Sequence, residues 1–172
     1  MIVSIAGKSM RLDIAGLGII LYSPRSASHI EEGQDYLESE YTTEEDVQRH
    51  IQAGSIVGFG TGLPGTFVLQ FHGGYPEKRF LQGCDFKLRL GLACVERRVC
   101  FRDLYDLVDW TSECPPEQMI EMDDGIYHVT LCSNRPRSGR IGDGQMIHVY
   151  FQKLDMFPAL SKHGIPTLYD ES

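Results

Sequence analysis

The sequence predicts a mainly β fold: a β-sandwich of short antiparallel strands with one added α-helix at about residues 43–53. Three observations carry that prediction. Eighteen glycines punctuate short apolar runs, a composition that favours strands and turns over long helices. Phe86, Leu88, Leu90 and Leu92 alternate with Lys87, Arg89 and Gly91, the period of a strand with one buried face. A helical spacing with clear start and stop signals occurs in residues 43–53.

Length and composition bound the rest. The 172 residues make one domain, 1–172, with no internal repeat or linker, long enough to bury a sizeable core. With 42% hydrophobic and 23% charged residues the chain is average for a globular protein, which argues against disorder.

The elements follow in order. Residues 1–22 read as one or two strands with a turn near Gly7, ended by Pro24. Residues 25–42 are polar and turn-like. In the helix, Thr42 and Glu45 fit a capping box, each side chain satisfying the other's free backbone N–H. Glu44, Glu45 and Asp46 suit the positive end of the helix dipole, Val47 and Ile51 form its buried stripe, and Gly54 caps it. Strands are expected at 55–59, 66–71 and 79–94, with 95–101 pairing back on the last of these through a short turn. Residues 103–110 are a helical turn or irregular loop. A hairpin is expected around Asp123-Asp124-Gly125, joining 119–122 to 125–132. A loop rich in Arg, Gly and Ser leads to a last strand at 145–154, and residues 158–172 form a tail.

Charge is strongly segregated. Residues 31–46 hold Glu31, Glu32, Asp35, Glu38, Glu40, Glu44, Glu45 and Asp46 without a basic residue. Residues 103–124 hold Asp103, Asp106, Asp109, Glu113, Glu117, Glu121, Asp123 and Asp124, again without one. Each stretch carries −8 within a total of −8, so the remainder carries +8. Solvated loops and a helix start are the plain explanation; an acidic recognition face for a cationic partner is the sharper one. Tyr36, Tyr41, Tyr105 and Trp110 are interleaved among these acids, as aromatic anchors are in binding hot spots. The expected partner-binding residues are therefore Tyr36, Glu38, Glu40, Tyr41, Glu44, Asp103, Tyr105, Asp106, Asp109 and Trp110. The acidic balance disfavours nucleic acid and anionic membranes as partners. No apolar run approaches the ~20 residues of a membrane helix. The N-terminal run after Lys8 and Arg11 is a poor match to a signal peptide. Five cysteines without a CxxC pair read as small buried hydrophobes in a reducing compartment, and a cytoplasmic location is expected.

Catalytic patterns are scarce. No GxSxG elbow and no GxxxxGK[ST] loop occurs, and the six histidines lack zinc-hydrolase spacing. Two alternatives stay open. Glu77, Asp85 and Lys87 have the residue types of a metal-dependent hydrolase or nuclease. His128 and His148, on the two late strands, would line the pocket of a small-ligand-binding sandwich. Asp103, Asp106 and Asp109 lack the EF-hand pattern and read as a solvated face. No cofactor is expected and no enzymatic activity.

The segment Ile120-Glu121-Met122-Asp123-Asp124-Gly125-Ile126-Tyr127-His128-Val129-Thr130 resembles a hairpin of the competence protein J family: an apolar strand, an acidic turn, and a Gly-x-Tyr-x-aliphatic-Thr strand running into a loop with proline, here Pro136. The upstream order, a glycine-ended apolar strand at 66–71, a basic-aliphatic strand from Lys78 and a strand ending in Phe101, is also similar. The resemblance covers about half the chain. It implies a β-sandwich inhibitor or immunity protein that binds and neutralises a toxin, in the first instance a basic nuclease.

Overall fold

The computed structural model describes residues 5, 7–37, 55–156 and 158. Among the described residues nine strands are divided between two sheets: β1 (Ser9–Ile14), β2 (Gly18–Tyr22), β3 (Ile56–Gly60), β4 (Gly65–Gly73), β5 (Phe86–Cys94), β6 (Arg98–Asp103), β7 (Met119–Glu121), β8 (Gly125–Ser133) and β9 (Asp143–Leu154). A short helix, α1 (Lys78–Gln82), precedes β5. Five strands form one sheet in the order β1-β4-β9-β8-β5, and four form the other in the order β3-β2-β6-β7. The expected β-sandwich is thus the observed fold. Its ladders are antiparallel except β4 with β9, which run parallel at the centre of the larger sheet. The helix expected at 43–53, its capping box, and the tail beyond Pro158 lie outside the described residues. No helix among the described residues is long and apolar enough to cross a membrane.

Strand alternation builds the main core. Leu88, Leu90 and Leu92 of β5, Phe67, Leu69 and Phe71 of β4, Tyr127, Val129 and Leu131 of β8, and Ile147, Val149 and Phe151 of β9 all face inward. They meet Ile19 and Leu21 of β2, Val57 and Phe59 of β3, and Val99 and Phe101 of β6. Each such side chain contributes roughly 1.5–3 kcal/mol when fully buried.

Three expectations are corrected. Residues 79–82, assigned to a strand by their apolar spacing, form the single turn of α1, which has no side-chain cap. The segments 86–94 and 98–103 do not pair as a hairpin, because β5 and β6 lie in different sheets. Glu96 and Arg97, both left-handed, close one bridge between Val95 and Arg98. Ser23 then separates the strands: its buried hydroxyl accepts from Val95 N–H (2.9 Å) and donates to the Arg98 carbonyl (2.7 Å). Nor do 119–121 and 125–133 form a hairpin, since β7 pairs with β6 and β8 with β5 and β9. The turn at Asp123-Asp124-Gly125 is a second corner between sheets. It meets the first, where Arg97 pairs with Asp123 at 3.0 Å and its amide donates to Asp124 (2.6 Å).

Candidate functional site

The smaller sheet is covered on its outer side by a third layer. Ile20 and Tyr22 of β2, Ile56 of β3 and Cys100 of β6 point away from the main core. Over them lie Ala27, Ile30 and Tyr36 from one segment, and Leu107 and Trp110 from another, forming a second apolar cluster. Tyr36 belongs to the first acidic stretch of the sequence and Leu107 and Trp110 to the second, while Ala27 and Ile30 immediately precede the first. These apolar residues face the sheet, and Glu31, Glu32, Asp109 and Glu113 face solvent.

Backbone contacts stitch the two stretches together. Gly33 N–H donates to the Trp110 carbonyl (2.7 Å) and Trp110 N–H to the Gln34 carbonyl (3.1 Å). Ser112 N–H donates to Glu32 Oε1 at 2.7 Å. Hydrogen bonds from Ser112, with a smaller contribution from the Arg102 charge, hold the Glu32 carboxyl below its ordinary pKa and so ionised. Asp103 anchors the edge of the layer. Its carboxylate accepts from the amides of Ala15 (2.8 Å), Gly16 (3.1 Å) and Tyr105 (3.0 Å), the last capping the 3-10 turn Leu104–Val108. Gly16 is required there: a Cβ would lie 2.6 Å from Asp103 Oδ1 and 2.7 Å from Tyr105 Cβ.

Arg102 is the keystone. It is 4% exposed on β6, beneath the layer. Its guanidinium donates to Asp106 (2.9 Å), the Tyr22 hydroxyl (3.2 Å), the Thr111 carbonyl (2.6 Å) and the Thr111 hydroxyl (3.2 Å), and stacks 4.5 Å from the Trp110 ring. Burial acts to lower its pKa, but Tyr22 and Asp106 outweigh burial and raise it, so the group stays charged. Nothing in the sequence reading identified it. The available signal was an Arg at i and an Asp at i+4 at the edge of an otherwise purely acidic stretch.

The partner-binding residues expected from sequence separate accordingly. Tyr36 (3% exposed) and Trp110 (1%) are part of the second core. Asp103 is occupied by three amides and Asp106 by Arg102, whereas Tyr105 is 62% exposed and Asp109 is exposed. Leu17, next to Gly16, adds an exposed apolar side chain. Glu38, Glu40, Tyr41 and Glu44 lie outside the described residues. Asp123 and Asp124 belong to the Arg97 corner.

The residues considered for other chemistry are dispersed. Asp85 accepts from Arg135 N–H (3.0 Å) while its own amide donates to Asn134 (2.8 Å), a clamp between the start of β5 and the loop after β8. Glu77 precedes α1, and Lys87 is paired with Cys132 across β5 and β8. Among the described residues no group of three or more His, Cys, Asp or Glu is placed to hold a metal ion. His128 and His148 do not meet, because β8–β9 register sets His128 opposite Gln152 and His148 opposite Cys132. Both alternate with core residues and so project from the outer face of the larger sheet, not between the sheets. There His148 Nδ1 lies 2.9 Å from His72 Nε2, His72 stacks on Tyr150 at 4.3 Å, and His128 meets the Tyr75 hydroxyl at 3.0 Å. Burial lowers the pKa of all three imidazoles. A recess of about 250 Å³ lies in the loop at Arg140, Ile141, Gly142 and Asp143, away from both histidines' rungs.

No protein-family model matches the chain, and no curated protein sequence matches it. Solved structures do share its architecture. ComJ from Bacillus subtilis, described as an inhibitor of the DNA degrading activity of NucA, superimposes with a TM-score of 0.51 at 11% identity, over 90% of this chain and 99% of that one. The structure described as crocagin biosynthetic gene J gives a TM-score of 0.52 at 10% identity, over 84% of this chain and 97% of that one. At these identities the likeness establishes the fold: the chain is built on the same two-sheet sandwich as ComJ.

Proposed function

We propose that this chain is a cytoplasmic immunity protein that binds a cognate toxin, a nuclease effector, and covers its basic active-site surface without chemistry of its own. The observation that carries the reading is the acidic layer. Two stretches far apart in sequence are joined through the backbone at Gly33, Gln34 and Trp110, and they expose the carboxylates of Glu31, Glu32, Asp109 and Glu113 and the ring of Tyr105. Such a face complements a cationic nucleic-acid-binding cleft, accelerates encounter with it and repels phosphate backbones. The fold supports the reading because ComJ, on the same sandwich, is an inhibitor of a DNA-degrading activity.

The contact would centre on Tyr105, with Asp109, Glu113, Glu31 and Glu32 around it and Leu17 beside it. Asp103, Asp106, Tyr36 and Trp110 would act from beneath, by shaping the layer. Glu38, Glu40, Tyr41 and Glu44 would extend it. Affinity capture from the native cell tests this, comparing the wild-type chain with a Tyr105→Ala, Asp109→Arg, Glu113→Arg variant. The wild type should retain a nuclease and suppress its activity on DNA or RNA, and the variant should release it at moderate salt. Equal capture and suppression by the folded variant would remove the acidic face from the account.

A further inference from the structure

We propose that Leu17 and Leu63 form, with Tyr105, an apolar ridge that seats in an apolar recess of the cationic partner, and that this ridge supplies the part of the affinity that salt does not screen. The inference rests on the reading of the acidic layer as a partner-binding face and deepens it. It adds a second turn to the contact and states the chemistry of the surface opposite.

The ridge is built where two turns and a 3-10 segment meet at one end of the sandwich. The turn between β1 and β2 carries Leu17, 59% exposed, and the turn between β3 and β4 carries Leu63, 49% exposed. Backbone bonds join the two turns: Thr61 N–H (2.7 Å) and Gly62 N–H (3.4 Å) both donate to the Leu17 carbonyl. On the other side of Leu17, Gly16 lies against Tyr105, so close that an added Cβ would fall 2.7 Å from the Cβ of Tyr105. The three residues therefore follow one another across this end as Tyr105, Leu17 and Leu63.

A single exposed leucine is ordinary on a protein surface. Three observations set this group apart. Among the described residues the exposed large apolar side chains are Leu17, Leu63, Tyr75, Tyr105, Met146 and Met156, and three of the six fall on these adjoining segments. Next, their backbones are fixed. Buried Thr61 donates from Oγ1 to the Leu63 carbonyl at 2.8 Å, and Gly62 makes the turn with φ +80°. The amides of Ala15 and Gly16 are held by Asp103. Side chains presented from a fixed backbone lose little freedom on binding, so more of their burial appears as affinity. Lastly, the ridge is continuous with the acidic layer, because the same Asp103 carboxylate also caps Tyr105.

That continuity selects the occupant. Asp109 and Glu113 stand exposed on the adjoining layer, while Arg140, in the loop before β9, is paired with Asp143 at 3.7 Å. A second copy of the chain would bring its own carboxylates against that layer; a cationic surface is attracted to it. The two parts of such a contact respond differently to salt. Charge attraction fades as the screening length shrinks from about 10 Å at 0.1 M to about 3 Å at 1 M, whereas burial of a leucine side chain does not depend on it.

The test measures binding of the nuclease retained by the wild-type chain, by surface plasmon resonance at about 0.1 M and about 1 M sodium chloride. Leu17→Ser and Leu63→Ser keep the backbone carbonyls and remove only exposed side chains, so circular dichroism should show both folded with an unchanged melting curve. Each should weaken binding by about tenfold at both salt concentrations. The Asp109→Arg, Glu113→Arg chain should weaken it at low salt and flatten the salt dependence. Wild-type affinity in both leucine variants, or a loss confined to low salt, would overturn the ridge and leave the acidic face standing if the charge variant still fails. A wild-type chain that retains no nuclease activity would remove both readings. Sedimentation of the chain alone as a dimer that Leu17→Ser and Leu63→Ser dissociate would assign the ridge to a second copy and overturn the proposal.

Discussion

Replacing Arg102 by alanine is the most informative single perturbation, because one side chain links the smaller sheet to the acidic layer. Four hydrogen bonds and a stacking contact are lost together. They do not weigh equally. Asp106 is 40% exposed at its side chain, so water replaces the guanidinium there and the loss is about 0–1 kcal/mol. The Tyr22 hydroxyl is buried and loses a charged donor, a cost of about 1–3 kcal/mol, and the Thr111 carbonyl adds about 1 kcal/mol. The desolvated cation on the Trp110 face contributes about 1–2 kcal/mol more. The sum is about 3–7 kcal/mol, which for a domain of this size lowers Tm by roughly 6–28 °C. Circular dichroism measures the midpoint. Emission from Trp110, the only tryptophan, should shift to the red as the layer loosens. Arg102→Lys keeps the charge but loses the planar fork, and should recover less than half of the loss. A fall in Tm within about 3 °C for the alanine variant, on the same scaling, would show that the layer is held by apolar packing alone.

Other perturbations test separate parts of the account. Asp103→Ala removes the acceptor of three amides and should cost about 1–3 kcal/mol, read from urea midpoints, whereas Tyr105→Ala, on the same layer but exposed, should leave the midpoint unchanged. Tyr105→Ala should nonetheless weaken capture of the partner by about 30-fold if the ring anchors the contact, measured by surface plasmon resonance with the captured protein. His72, His128 and His148 have folded pKa values below 6.5, so the unfolded chain binds more protons below that pH; stability present above about pH 6.5 should fall as pH drops through the lowered values. Chemical denaturation at pH 7.5 and pH 5 checks the sign, and the His72→Gln, His148→Gln chain should lose less over the same interval. Gly65→Ala should cost more than about 2 kcal/mol, since φ is +153° and a Cβ would run into the Gly142 backbone; an unchanged melting curve would contradict that close approach.

The strands and their buried faces were legible because the alternation is strict where one face is core, as at Leu88, Leu90 and Leu92. Which sheet each strand joins was not. A two-residue turn such as Glu96-Arg97, or an acidic turn ending in Gly125, has the same local chemistry whether its flanking segments pair or part. The decision is made by Ser23, more than 70 positions away, which takes the hydrogen bonds a hairpin would have used. The acidic stretches were visible as charge, and their junction was not, because it depends on backbone bonds between Gly33, Gln34 and Trp110. Aromatics among acids were read as outward anchors. Tyr105 has that place, but Tyr36 and Trp110 turn inward because the outer face of the smaller sheet is itself apolar and has to be covered. Helix α1 escaped notice because a single uncapped turn leaves no periodic signal.

The parallel ladder between β4 and β9 bears on how the protein is made. β9 occupies the middle of the five-stranded sheet, between β4 and β8. During synthesis the ribosome delivers β1, β4, β5 and β8 before the strand that joins their two halves. Until residue 154 has emerged, the larger sheet can hold only the β1–β4 and β5–β8 pairs, each with an apolar face and an open edge. Assembly of the larger sheet must therefore wait for the end of β9. Chaperone demand should be greatest in that interval, and truncation within residues 143–154 should yield insoluble chains where loss of a peripheral strand would only weaken the fold.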